Sequence, residues 1–438
     1  MQNLENNQKQ SNMQKVALTA LAGTSIEWYD FFLYGAAAAL IFPTAFFGEM
    51  PPTTALLLSL LTFAAGFIAR PIGGIIFGHF GDKVGRKKTL ISALMLMGIS
   101  STLIGLLPTY AMIGVAAPIL LTTLRFAQGL AIGGQWGGAM LLVTESAPSN
   151  QRGYYGAFAQ AGAPIGVILA NLAWIITSAL VSEEFFNTWG WRIPFLASAV
   201  LILISMYIQL NLEDTDAFKA LVNDKGAQSD ENIKKSPVIE AIKKYPKRIF
   251  LAAGAFLSVQ VTFYILIAFM LAYGVTSANM ARDDMLAAVL IASAIMVPIQ
   301  FVFSSYSDRH GRKGIFMLGA VLTGIWAFAI FPLVDTGNFY LIVLAITGGL
   351  VFLAMMYGPQ AAFFTELFST EVRYSGATLG YQFGAIVGGA FAPTIAVKLW
   401  TEFDIIWVSA YIALASLLTL LSVMALTETY QSDLNNTD

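Results

Sequence analysis

The chain has 438 residues, 57% hydrophobic and 11% charged, with a net charge of −2 and no cysteine. A soluble domain carries about 25% charged residues, so a water-soluble fold of this size is excluded, and the lack of cysteine excludes disulfide scaffolds and thiol chemistry. The apolar residues come in long runs, such as 111–143 with Arg125 as its single charge, and runs of about 20 span a ~30 Å hydrocarbon core.

The first fifteen residues are polar and rich in Gln and Asn. The apolar run that follows is too long for a cleavable signal and is expected to stay as the first helix. Apolar segments then fall at 16–42, 53–77, 88–107, 114–144, 154–181, 191–211, 248–274, 285–305, 315–334, 338–365, 374–398 and 402–426. The expected fold class is an all-α membrane protein of twelve transmembrane helices. The one long polar connection, 212–247, divides it into a six-helix bundle at 1–211 and another at 248–438.

Lys and Arg favour cytoplasmic loops. With both termini inside, the inner side collects nineteen of the 24 basic residues, among them Lys83, Arg86, Lys87, Lys88, Arg152, Arg309, Arg312, Lys313 and Arg373. The outer side holds Arg192, Arg282 and Lys398, while Arg70 and Arg125 lie within helices. A miscounted helix would invert every later loop, so this bias supports the threading.

A repeat supports it again. Asp82, Gly85, Arg86 and Lys87 after helix two recur as Asp308, Gly311, Arg312 and Lys313 after helix eight, a shared D-x-x-G-R-K. Glu145 and Arg152 after helix four recur as Glu366 and Arg373 after helix ten. Parallel six-helix halves of this kind are a transporter plan with the substrate site between them.

Charge inside a membrane costs about 2.5–3.5 kcal/mol per mid-helix residue, so Glu27, Asp30 and Arg125 are expected to face a cavity or one another. Glu27, Asp30 and Tyr34 share one face of helix one, and Arg125, Gln128 and Gln135 share one face of helix four. Arg125 suits a substrate carboxylate, because its planar fork of donors matches one; the alternative is a structural ion pair with a helix-one acid. Asp30 and Glu27 are the proton-coupling candidates, since a carboxyl group in a low-dielectric cavity can load and release a proton near neutral pH. A substrate carboxylate competing for Arg125 would then free a helix-one acid.

Gly133 with Gly137 and Gly134 with Gly138 read as close helix packing. Arg70, before Pro71, reads as part of a cytoplasmic-side network. Gln160, Asn171 and Trp174 in helix five, Gln260 and Tyr264 in helix seven, Gln360 in helix ten, and Tyr381 and Gln382 in helix eleven are further candidates for a polar lining. The two histidines, His79 and His310, sit in turns, one per half, and no metal site, phosphate-binding loop or enzyme motif is evident. No cofactor is expected, and an ion or solute gradient must drive any flux. Nucleic acid is not an expected partner.

The run Gly78 to Lys88 resembles the loop between helices two and three of the major facilitator superfamily. Glu27-Trp28-Tyr29-Asp30-Phe31, the stretch from Arg125 to Gly138, and Trp189 to Phe195 resemble the metabolite:proton symporter family within it. The resemblance implies the major facilitator fold, rocker-switch alternating access, a monomer in the bacterial inner membrane, and proton-coupled import of a small organic acid or zwitterion. Proton-coupled efflux of a drug-like or toxic anion is the alternative, on Gly162-Ala163-Pro164-Ile165-Gly166, and a non-transporting membrane sensor is a minor one. The resemblance also implies a cytoplasmic gate of Asp82, Arg86, Asp308 and Arg312, joined by Glu145, Arg152, Glu366 and Arg373. Two positions depart from the pattern. Gln135 stands where the family has Glu, and Ser304 stands where the first repeat has Gly78, which predicts looser packing there.

Overall fold

In lipid every backbone polar group must be satisfied within the protein, and all the regular elements among the described residues are helical. The computed structural model describes residues 2–84, 86–213, 237–369 and 373–430. Side chains are described within these ranges except at 2–12, 78–84, 86–90, 134–139, 141–142, 145–146, 208–213, 237–240 and 374.

The first six long helices are α1 (Gln2–Leu40), α2 (Pro52–Val84), α3 (Arg86–Leu106), α4 (Ala116–Ser146), α5 (Arg152–Leu180) and α6 (Ile193–Glu213). The later ones are α7 (Pro246–Thr276), α8 (Arg282–His310), α9 (Arg312–Val334), α10 (Phe339–Glu366), α11 (Arg373–Glu402) and α12 (Ile406–Ala425). They match the predicted segments, with two extensions. The polar start of the chain continues α1 back to Gln2, and α2 runs on to Val84. At 1.5 Å per residue both outreach the hydrocarbon core. Among the described residues ten helices are long and apolar enough to cross a membrane. The acids of α1 dilute its apolar character, and only Ile91–Leu106 of α3 falls within the side-chain description.

Exposed Ile75, Phe250, Ile325 and Val387 stud the outside of the bundle. Such side chains would be a liability in water; in lipid they are the solvent-matched surface. By contrast, α7 is buried along almost its whole length.

Packing repeats between the two sets of six. Helix α2 lies on α4 as α8 lies on α10, α3 on α6 as α9 on α12, and α1 on α5 as α7 on α11. The sets meet where α5 runs along α8 and α2 meets α11. At one end, Met13, Val16 and Ala17 of α1 pack on Val143 and Tyr155, and Tyr430 after α12 donates to the carbonyl of Arg309 at 2.9 Å. That end therefore carries both ends of the described chain. Much of the 212–247 connection lies outside the described residues. Its last part is a short helix, Pro237–Lys244.

Two helices break their α-helical pattern mid-span. A π turn occupies Ile265–Phe269 in α7, and another occupies Ala385–Ala390 in α11. Such turns are local defects that often mark functional sites. The first follows Tyr264 directly, and the second packs on both α2 and α7.

Candidate functional site

Aromatic residues at helical spacing on α1 build the centre of the molecule. Trp28, Phe31 and Tyr34 follow one another at i, i+3 and i+6, all buried. Phe63 and Phe67 of α2 and Tyr264 of α7 close around them, with ring centroids 4.9–6.1 Å from Phe31. Into this cage project two arginines.

Arg125 of α4 is fully buried. Its guanidinium carbon lies 4.2 Å from the Phe31 and Tyr34 centroids and 4.7 Å from that of Phe63. Its Nη1 donates to Gln128 Oε1 at 3.0 Å, and Gln128 donates in turn to Ser101 Oγ at 2.7 Å. Its Nε and Nη2 have no hydrogen-bond partner. The Tyr34 hydroxyl pairs with Thr62 at 2.6 Å.

Arg70 corrects the sequence-based expectation of a cytoplasmic-side network. It is 1% exposed and stacks inside the same cage, 4.4 Å from Phe31 and Phe67 and 5.3 Å from Trp28. Its Nε and Nη2 are likewise unpartnered. Pro71 does not break α2, which carries on past it, and the Arg70 side chain turns onto the aromatic ladder of α1.

Asp30 is 1% exposed and neither carboxylate oxygen has a hydrogen-bond partner, although Ser101, Ser198 and Arg125 surround it. The structural ion pair between Asp30 and Arg125 is absent. Glu27, the residue before Trp28 on the helix, is half-buried and engaged in an interaction of its own.

Below the cage a small void of about 10 Å³ remains, lined by Trp28, Phe32, Gln260, Tyr264, Tyr357 and Tyr381 among others. It has room for about one water molecule. Of the predicted lining, Gln260, Tyr264 and Tyr381 reach this void. Gln360 and Gln382 are buried elsewhere, with both amide atoms of Gln360 and Oε1 of Gln382 unpartnered. Asn171 and Trp174 do not reach it. Asn171 donates across the bundle to the Leu286 carbonyl at 3.1 Å, and Trp174 packs between Phe186 and Phe195. Gln160 donates to the Tyr357 carbonyl at 3.2 Å. Gly162 and Gly166 lie against Thr24 and Trp28 of α1, a packing role. The Gln135 side chain lies outside the described residues. Buried polar groups are normally satisfied; the orphaned nitrogens of Arg70 and Arg125, with Asp30 beside them, mark a place built for something polar.

The end that carries both termini is bolted shut. Arg312 donates to Asp308 Oδ1 at 2.6 Å and to both oxygens of Glu366 at 3.1 and 3.3 Å. Arg152 of α5 reaches Glu366 at 3.7 Å. Gly311, counterpart of Gly85, has φ +101° and makes the turn that delivers Arg312. Arg373 donates to the carbonyls of Thr365 and Phe368, closing the end of α10. The side chains of Asp82, Arg86 and Glu145 lie outside the described residues. Two residues that no motif signalled complete the bolt: Thr429 donates to Glu366 at 2.8 Å, and Glu428 accepts from the Arg312 and Lys313 amides at 3.0 Å. The packing at Ser304 is not loose, because Gly358 of α10 gives way to its hydroxyl.

The Major Facilitator Superfamily family model matches residues 20–393. The inner membrane metabolite transport protein YhjE of Escherichia coli K12 is 40% identical over 432 residues, covering 97% of this chain and 96% of that protein. The shikimate transporter of the same organism is 38% identical over 405 residues, covering 92% of each. Among solved structures, a partially occluded inward-open conformation of the E. coli xylose transporter XylE superposes with a TM-score of 0.69 at 17% identity, covering 96% of this chain and 99% of that one.

Proposed function

The chain belongs to the major facilitator superfamily of membrane transporters, and on that premise we propose that it is a proton-coupled symporter importing a small organic acid across the bacterial inner membrane. The observation that carries the reading is the pairing of Arg125 and Asp30. One is a buried guanidinium in the cage whose Nε and Nη2 have no partner, the other a buried carboxyl group beside it, between Ser101 and Ser198. A carboxylate docking on Arg125 supplies the missing acceptors, and a proton on Asp30 removes a buried charge that no ion pair balances. A carboxylate and a proton change the local charge by one unit in opposite directions, so taking up both leaves it unchanged, which favours a state loaded with the two together.

In this reading twelve helices span the membrane, 1–211 and 248–438 rock as two bodies about the 212–247 connection, and the protein works as a monomer. The bolted end faces the cytoplasm. The names of the metabolite, shikimate and proline/betaine transporters among its relatives support a small carboxylate-bearing cargo.

The test is uptake into proteoliposomes across a panel of organic acids and betaines, with and without an inward proton gradient. Gradient-driven accumulation is expected. Asp30→Asn should abolish the gradient dependence while leaving exchange of internal for external substrate intact. Flux indifferent to the gradient in the parent protein would sink symport. An Asp30→Asn variant that still accumulates substrate would move the proton elsewhere.

A further inference from the structure

We propose that the carried solute is a dianion, with two carboxylates or a carboxylate and a second acidic group, held between Arg70 and Arg125. This rests on the transport reading above and narrows its substrate.

The two guanidinium carbons lie 4.4 and 4.2 Å from the centroid of one ring, Phe31. No more than the sum of those distances can separate them. Their other ring contacts diverge by one helical step on each side: Arg70 takes Trp28 and Phe67, and Arg125 takes Tyr34 and Phe63. Successive rungs of the α1 ladder are about 4.5 Å apart along the axis. The cations are thus offset by rungs of one ladder, with Phe31 common to both. They repel each other.

Neither cation is compensated. Among the described residues no carboxylate forms an ion pair with Arg70 or Arg125, and Nε and Nη2 of each lack any hydrogen-bond partner. Among the described residues Asp30 is the one fully buried acid beside the cage, and it bonds to neither arginine. Buried charges are normally paired or neutralised, and aromatic faces return only a fraction of what a buried guanidinium loses on leaving water. The cage is therefore short of two negative charges, or one if Asp30 is ionised.

The arrangement also selects against other cargo. A single carboxylate can fork onto one guanidinium but leaves the other bare. A quaternary ammonium group would enter beside two fixed cations, and the aromatic faces that could receive it are already covered by guanidiniums. Two acidic groups joined by a short carbon chain satisfy both forks, while Gln260 and Tyr264 offer polar contacts at the edge of the void.

The experiment uses the full chain in proteoliposomes, with labelled succinate as the dicarboxylate, butyrate and shikimate as monocarboxylates, and glycine betaine as the zwitterion. Succinate is expected to be taken up and to be displaced by other dicarboxylates far better than by monocarboxylates or betaine. Arg70→Gln should weaken succinate about tenfold or more, the scale of one lost charged hydrogen-bonding partner, and erase its advantage over butyrate. If Arg70→Gln does not fold, the competition series on the parent protein decides alone. Equal competition by mono- and dicarboxylates, or preference for betaine, overturns the dianion. Gradient-driven uptake of monocarboxylates alone would do so while leaving symport standing. Succinate uptake indifferent to the proton gradient would do the reverse. Binding and uptake of none of these acids overturns both.

Discussion

Asp308 caps helix α5 from across the molecule: its two carboxylate oxygens accept the backbone amides of Gly153 at 2.7 Å and Tyr154 at 2.8 Å. The first amides of a helix have no partner of their own, and the positive end of its dipole favours an anion. The contact exists only while α5 and α8 are together at that end, so it is a bond that the closed state owns. Caps of this kind are worth about 0.5–2 kcal/mol. Asp308→Asn should therefore shift the protein toward opening at the terminus-bearing end. The parent chain has no cysteine, so one cysteine placed at Ala157 reports directly. Its rate of thiol labelling should rise severalfold in the Asp308→Asn background, and an unchanged rate would remove Asp308 from the gate.

Arg312 is the hub of the same bolt and is 1% exposed. Removing one member of a buried charge cluster leaves the others unpaired, at about 3–5 kcal/mol. Arg312→Ala should lower the melting temperature in detergent by more than any exposed substitution. Arg312→Lys should not rescue it, because a point charge cannot make the forked contact to Glu366. Rescue by Lys would show that charge alone matters.

The opposite end is held more weakly. Arg282 donates to Ser178 Oγ at 3.0 Å and covers the Phe186 ring at 4.0 Å, but Arg282 and Asp283 remain part-exposed. Part-exposed pairs contribute about 0–1 kcal/mol, well below the buried bolt. The empty protein should therefore open preferentially at the Arg282 end. Cysteines placed singly at Ala288 near the Arg282 end and at Ala157, both fully buried, should label at clearly different rates, Ala288 faster, in the absence of substrate. The reverse order would contradict the ranking of the two latches.

Gly133 of α4 sits on the Arg70 carbonyl of α2, and Gly129 sits on that of Gly66, with no room for a methyl group. Gly133→Val should abolish folded, monodisperse protein as judged by gel filtration. Gly314→Ala on α9 meets nothing and should express normally, with helix propensity improved by up to about 1 kcal/mol. A folded Gly133→Val protein would mean that α2 and α4 can separate without loss.

The tail after α12 is part of the gate. Thr429→Ala removes a hydrogen bond to a charged, buried partner, an effect of about 1.5–3 kcal/mol, and Glu428→Gln weakens the cap on α9. Hydrogen exchange at the Arg312 and Lys313 amides should accelerate in Glu428→Gln relative to the parent. Unchanged protection would show that the strap is incidental.

Much of this architecture was legible in the chain before folding. A bilayer leaves few choices: apolar runs of spanning length must be helices, and Lys and Arg mark their ends. The D-x-x-G-R-K repeat located Asp308 and Arg312 because a turn with a left-handed glycine and a charge on either side leaves a local signature. Asp30, Arg125 and Glu27 stood out because charge is rare and costly within an apolar run.

What the sequence could not decide was which side chains meet. Arg70 and Arg125 lie on different helices, and only the seam of α2 on α4 and the ladder of α1 bring both onto Phe31. Asn171 and Trp174 have the composition of a binding site, yet rotation about α5 turns them to the Leu286 carbonyl and to Phe186. Thr429 and Glu428 are unremarkable in sequence and acquire a role only because α12 ends beside the turn between α8 and α9. Membrane insertion is governed by local hydropathy, which is written residue by residue. Pairing between buried polar groups depends on helix rotation and on contacts more than a hundred residues apart, and those are settled only when the bundle packs.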